Sequence, residues 1–109
     1  ECYNPRDWFH RIDLLDKEGK PKVSREREFY SVAGPLCFAG DFIARDVNLP
    51  VAEEGDYLLI HDTGAYTLSM WSRYNSRQVP PVTGYFQENE EGFPLKEGES
   101  PEDVIRFWL

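Results

Sequence analysis

Between Glu28 and Gln87 the chain is a series of short apolar stretches, each closed by a turn signal. This punctuation leaves no room for a long helix there, so it constrains the fold more than any other feature. Residues 28–32 read as a strand entering the Gly34-Pro35 turn. Residues 41–47 alternate Phe42 and Ala44 with Ile43 and Arg45, the period of a half-buried strand, and Asn48-Leu49-Pro50 is expected to break it. Glu53-Glu54-Gly55-Asp56 reads as a tight turn. Tyr57-Leu58-Leu59-Ile60 is continuously apolar, which suits a central strand covered on both faces. Thr63-Gly64 turns the chain, residues 66–70 fit a strand or the first turn of a helix, and residues 83–87 form a further short strand.

The flanks add little regular structure. Residues 1–28 are largely irregular, with a hairpin expected between residues 9–15 and the stretch from Val23 onward, across the charged turn 16–22. Residues 24–28 alternate charge and suit a solvated strand edge or loop. Residues 88–92 are rich in acid and are expected to form a solvated loop. Ser100-Pro101-Glu102-Asp103 then combines an N-cap hydroxyl, a proline at the first helical position and acids in the first turn. Asp103 stands where a capping box with Ser100 needs it. Strands first, one late helix and short turns predict a mainly β fold, a Greek-key sandwich or small barrel with a short C-terminal helix, in a single domain over residues 1–109.

The formal net charge of −8 repels phosphate backbones and anionic lipid surfaces, which argues against nucleic-acid and membrane partners. No apolar run approaches the length of a membrane span. The two cysteines, Cys2 and Cys37, do not make a disulfide scaffold, so both read as thiols in a reducing, intracellular and soluble setting. The chain begins at Glu1 and its one methionine is Met70, as expected of a processed chain or an excerpt of a longer protein. His10 and His61 are the only histidines, and no Cys/His spacing resembles a metal site.

The order of rare residues in the middle of the chain is more telling. Gly34-Pro35-Leu36-Cys37-Phe38-Ala39-Gly40-Asp41 precedes Asp62-Thr63-Gly64-Ala65-Tyr66, and Tyr74-Asn75-Ser76-Arg77 follows. A thiol on a loop after Gly-Pro can be exposed, although burial as a small hydrophobe is the commoner fate of a cysteine. An aspartate after glycine is a good turn cap, and a tyrosine after a glycine turn can offer its hydroxyl to an anion. Asp62 adjoins His61, but neighbours on a strand point to opposite faces and make no dyad. Arg77 on a loop is the kind of arginine that is usually solvated.

From about Tyr30 to about Pro81 these motifs together resemble the C-terminal β-domain of the ornithine/diaminopimelate/arginine decarboxylases, which use pyridoxal 5'-phosphate. The resemblance implies that Cys37 reaches the active site of a neighbouring subunit and donates a proton near the substrate Cα. It implies that Asp41 lies near the substrate or orders the loop, and that Tyr66 bonds the cofactor phosphate. It further implies an amino-acid substrate and a homodimer of the full-length protein. Phe38 departs from the family pattern. The family carries an acid directly after the cysteine to read the distal amino group of ornithine or diaminopimelate, and a benzyl group cannot accept that hydrogen bond. Either the substrate lacks a distal cation, another residue reads it, or the protein has left decarboxylation for a regulatory or binding role. A related racemase is a weaker alternative, because the Cys-to-Asp loop is a decarboxylase feature.

The four lysines, Lys17, Lys20, Lys22 and Lys96, lie in no context like the family's cofactor-linking lysine. In the family that lysine sits on a separate (β/α)₈ barrel of about 250 residues. The chain on its own is therefore expected to be inactive, with the cofactor held mainly by the absent barrel. Incubation with pyridoxal phosphate, borohydride reduction and peptide mass analysis should show no stoichiometric adduct on any of the four; such an adduct on one of them would overturn the reading.

Overall fold

The structure, a computed structural model, describes residues 9–109; Cys2 and Trp8 lie outside them. It divides into two compact units, Glu1–Met70 and Trp71–Leu109. The first holds β1 (Ile12–Leu15), β2 (Arg27–Ala33), β3 (Phe42–Pro50) and β4 (Tyr57–Ile60). β1 pairs antiparallel with β4, and β2 with β3. The two ladders pack through Ile12, Ala44 and Leu49, with Tyr30, Val32, Ile43, Val47 and Ile60 closing around them. Burying each such aliphatic side chain contributes about 1.5–3 kcal/mol. The mainly β class is as expected; the sheets are two-stranded ladders that do not close into a barrel.

The pairing of β1 departs from expectation. The turn after β1 forms, with Asp16 Oδ1 accepting from the backbone of Glu18 and Lys20. The returning chain makes one bridge, Leu15 to Pro21, with bonds from Asp16 N to the Lys20 carbonyl and from Lys22 N to the Leu14 carbonyl. Pro21 has no N–H to extend a ladder. Lys22 instead reaches Asp56, at 2.6 Å, and Glu53, at 3.0 Å. That ties the stretch to the turn before β4, and β4 takes the place beside β1 assigned above to residues from Val23 onward.

β3 also continues through Asn48-Leu49-Pro50 rather than breaking there. Tyr30 faces Val47 while Val32 faces Ala44, so β3 carries one more residue than β2 in this interval. That extra residue makes a β-bulge, with Asp46 in the left-handed region at φ 54°. Aspartate tolerates this conformation better than most residues. β4 is not covered on both faces: among the described residues it bonds to β1 alone, and Tyr57, Leu58 and Leu59 are exposed. Residues 66–70 form a single turn closed by Met70 N donating to the Tyr66 carbonyl at 2.8 Å.

The second unit contains a hairpin of β5 (Val82–Phe86) and β6 (Glu91–Lys96), then α1 (Pro101–Trp108). The acidic loop is shorter than expected, since Glu91 and Gly92 already belong to β6. Phe93 lies over Gly84, where a Cβ would come within 2.2 Å of the ring, and stacks on Phe86 at 4.5 Å. A strand bonded on one side only tolerates Pro94. The Ser100–Asp103 capping box forms as predicted. No helix among the described residues is long and apolar enough to cross a membrane.

Arg73 and Glu99 organise this unit. Arg73 donates from both terminal nitrogens to the Glu99 carboxylate, Nη2 to Oε1 at 2.6 Å, and its guanidinium lies over Trp71 and Phe107. Val79 N also donates to Glu99 Oε2, at 3.0 Å. Bonding by Arg73, then by Val79, lowers the Glu99 pKa from 4.5 to about 2. A carboxylate depressed in this way stabilises the fold above its unfolded pKa, and the contribution disappears as pH falls from about 4.5 towards about 2. Urea midpoints followed by tryptophan fluorescence should therefore show Glu99→Gln less stable than the parent at pH 7, with the gap closing below pH about 4.5. A gap independent of pH would refute the assignment.

Candidate functional site

The loop joining β2 to β3 carries Cys37, Phe38 and Asp41. Gly34 N donates to the Asp41 carbonyl at 2.8 Å, Phe38 N to the Leu36 carbonyl at 2.8 Å, and Asp41 N to the Phe38 carbonyl at 3.1 Å. Asp41 Oδ2 accepts from Leu36 N at 2.9 Å. A Cβ on Gly34 would fall 2.1 Å from the same Oδ2, so glycine is required there by close approach. Cys37 and Phe38 are exposed, while Asp41 is half-buried. An apolar hollow of about 320 Å³ lies at the loop base, lined by Val32, Gly34, Asp41, Phe42, Leu58 and Ile60, so β4 borders the loop.

Tyr66 lies on the separate turn that follows β4. Its φ of 67° is left-handed, which is uncommon for an aromatic residue and costs about 1–3 kcal/mol. Asp62 shares this conformation, whereas Gly64, the expected turn residue, does not. Ser69 Oγ donates to the Tyr66 carbonyl at 3.2 Å, and the side chain is exposed. The structure thus unites Cys37, Phe38 and Asp41 on one loop and leaves Tyr66 on another turn of the same unit. Tyr74, Asn75 and Arg77 belong to the other unit, where Asn75 is left-handed and the Arg77 carbonyl accepts from Arg73 at 3.1 Å.

Two polar clusters escaped the sequence reading. His61 bonds not to Asp62 but to Asp13, Nε2 to Oδ2 at 2.7 Å, across the β1–β4 ladder, and Arg11 reaches the same oxygen at 2.7 Å. Bonding by Arg11, then by His61, lowers the Asp13 pKa. His10 Nδ1 lies 2.9 Å from the His61 carbonyl oxygen. The second cluster is Lys22 with Asp56 and Glu53, where bonding by Asp56, then by Glu53, raises the Lys22 pKa. A lysine held protonated in this way is a poor nucleophile. As a donor set for pyridoxal phosphate, the described residues present the Tyr66 hydroxyl for a phosphate and the Cys37 thiol for a proton. Both groups are exposed, so they fit as donors to such a group. No cluster of three metal-ligating side chains occurs among the described residues.

Comparison with known proteins places the chain in a family. Residues 4–64 match the family model described as the C-terminal sheet domain of pyridoxal-dependent decarboxylases. The chain is 42% identical over 79 residues to the diaminopimelate decarboxylase of Streptomyces coelicolor, covering 66% of the chain and 18% of that protein. It is 35% identical over 101 residues to a probable chloroplastic diaminopimelate decarboxylase of Oryza sativa, covering 92% of the chain and 19% of that protein. A crystal structure of diaminopimelate decarboxylase from M. jannaschii superposes with a TM-score of 0.77 at 34% identity, over 94% of this chain and 22% of that one. The chain spans about a fifth of the length of the curated relatives it matches.

The exposure of Cys37 predicts ready alkylation in the folded chain. Iodoacetamide labelling under native conditions with peptide mapping should modify Cys37 before any denaturant is added. Reaction only after denaturation would make it a core residue.

Proposed function

The chain belongs to the pyridoxal-dependent decarboxylases, as their C-terminal sheet domain, and on that premise we propose that the full-length protein decarboxylates diaminopimelate. The observation that carries the proposal is the loop 34–41, which exposes a thiol from an ordered backbone in a chain similar to diaminopimelate decarboxylases over nearly all its length. Pyridoxal phosphate, when bound, supplies the electron sink for loss of the carboxylate. This chain's residues complete the site. The Cys37 thiol holds a proton for delivery to the substrate Cα, and the Tyr66 hydroxyl donates to the cofactor phosphate. The exposed apolar run of β4 is covered by the rest of the protein or by a second copy, and the site is shared between two chains of a homodimer.

Phe38 bears on the substrate. Its ring offers a distal ammonium only a cation–π contact, on the order of 0.5–2 kcal/mol, and no acceptor. With diaminopimelate as substrate, a group other than Phe38 reads the distal amine. The same feature favours one second reading, a homologue that keeps the fold and has lost turnover.

Carbon dioxide release from diaminopimelate, ornithine, arginine and lysine separates these readings in the full-length protein. Diaminopimelate should be preferred. Cys37→Ala should lower kcat with cofactor affinity retained. Tyr66→Phe should weaken cofactor binding by on the order of 10- to 100-fold, the effect of losing one hydrogen bond to a charged group. Release from none of the four substrates by protein that binds the cofactor would favour the non-catalytic homologue. Unchanged cofactor affinity in Tyr66→Phe would remove Tyr66 from the site.

A further inference from the structure

We infer that Asp41 is a positioning residue for Cys37: its carboxylate, packed into the space left by Gly34, ties down the backbone on both sides of the thiol. The inference rests on the reading of Cys37 as the proton donor. An acid four residues from a proton donor could instead share the chemistry or bind the substrate amine. The geometry assigns Asp41 other work. Its Oδ2 accepts from Leu36 N, the amide immediately before Cys37, at 2.9 Å. Its own N–H donates to the carbonyl of Phe38, immediately after Cys37, at 3.1 Å, and its carbonyl accepts from Gly34 N at 2.8 Å. One residue therefore fastens the loop at 34, 36 and 38.

The carboxylate stands where any side chain on Gly34 would have to go, 2.1 Å from an added Cβ, so the two residues act as one interlocking pair. A carboxylate-to-amide bond is stronger than a neutral one. Holding a loop in one conformation removes the backbone freedom that would otherwise blur the position of its side chains. Displacing a reacting group by about 1 Å can lower a rate on the order of 100-fold. That is how an anchor which never touches the substrate can control turnover.

The test uses the full-length protein loaded with pyridoxal phosphate, in the variants Asp41→Ala, Asp41→Asn, Gly34→Ala and the double variant Gly34→Ala/Asp41→Ala. Asp41→Ala should lower kcat by on the order of 100-fold while KM stays nearly constant. Asp41→Asn keeps an oxygen acceptor for Leu36 N and should recover most of the activity. Gly34→Ala should be impaired with Asp41 present, and adding Asp41→Ala should cost little more, because the carboxylate that clashes is gone. The alkylation rate of Cys37 should change several-fold in Asp41→Ala and little in Asp41→Asn.

An Asp41→Asn variant as inactive as Asp41→Ala would overturn the inference in favour of a direct role for the charge. A parental alkylation rate and kcat in Asp41→Ala would also overturn it. Should Asp41→Ala fail to fold, Gly34→Ala, which keeps the carboxylate but displaces it, gives the same readings. Parental turnover in Cys37→Ala would remove Cys37 from the chemistry, yet the alkylation rates would still decide whether Asp41 holds the loop.

Discussion

Ala44 and Leu49 reach one core from one strand only because the backbone turns left-handed between them, at Asp46. In a regular strand residues five apart point to opposite faces. The extra residue at Asp46 restores the parity, so both meet Ile12 on the facing ladder. The core is small, with Ile12, Leu14, Ala44 and Leu49 as its buried apolar residues among those described. That contact holds the β2–β3 ladder against β1, which carries β4 on its edge. Through it the base of loop 34–41, at one end of β2 and β3, and β4, which leads into the turn of Tyr66, keep a fixed relation within the first unit.

What was legible in the sequence was local. The strand at residues 28–32, the turns at Gly34-Pro35 and Glu53–Asp56, the strand at residues 83–87 and the Ser100 capping box all depend on residues close together along the chain, and each was found. The failures were matters of partnership. The charged turn 16–22 points to a hairpin of β1 with the stretch from Val23 onward, whereas Pro21 denies that stretch a ladder and the Lys22–Asp56 bond gives it another anchor. The end of β3 was lost because Asn-Leu-Pro is a local break signal, and a bulge that makes Leu49 a core residue leaves no local mark except an aspartate. The His61–Asp13 pair was missed for the same reason, since its members are neighbours only once β1 lies beside β4.

The candidate site repeats this division. Cys37, Phe38 and Asp41 are picked out by the family resemblance of their motif, and they lie together because a loop keeps close in space what is close in sequence. Tyr66 was found as a motif, but its backbone was not: the left-handed positions fall on Asp62 and Tyr66 and leave out Gly64. Non-glycine residues in this region persist only where the surroundings impose them. The strain therefore accompanies the motif tyrosine itself, rather than the glycine two residues before it that could have adopted the conformation without cost.

The division of labour within loop 34–41 follows from solvent. Cys37 and Phe38 are exposed rather than packed in the core of the described residues. The backbone on either side of Cys37 is bonded to Asp41. An anchor of this kind has to offer an oxygen that accepts from an amide in a half-solvated place, and be short enough to fit against a glycine. Glutamate would meet the first condition and fail the second, because its extra methylene would push the carboxylate beyond the space that Gly34 leaves. Spacing identifies an acid near a thiol. Only the close approach at Gly34 distinguishes an acid that faces the substrate from one that faces the loop.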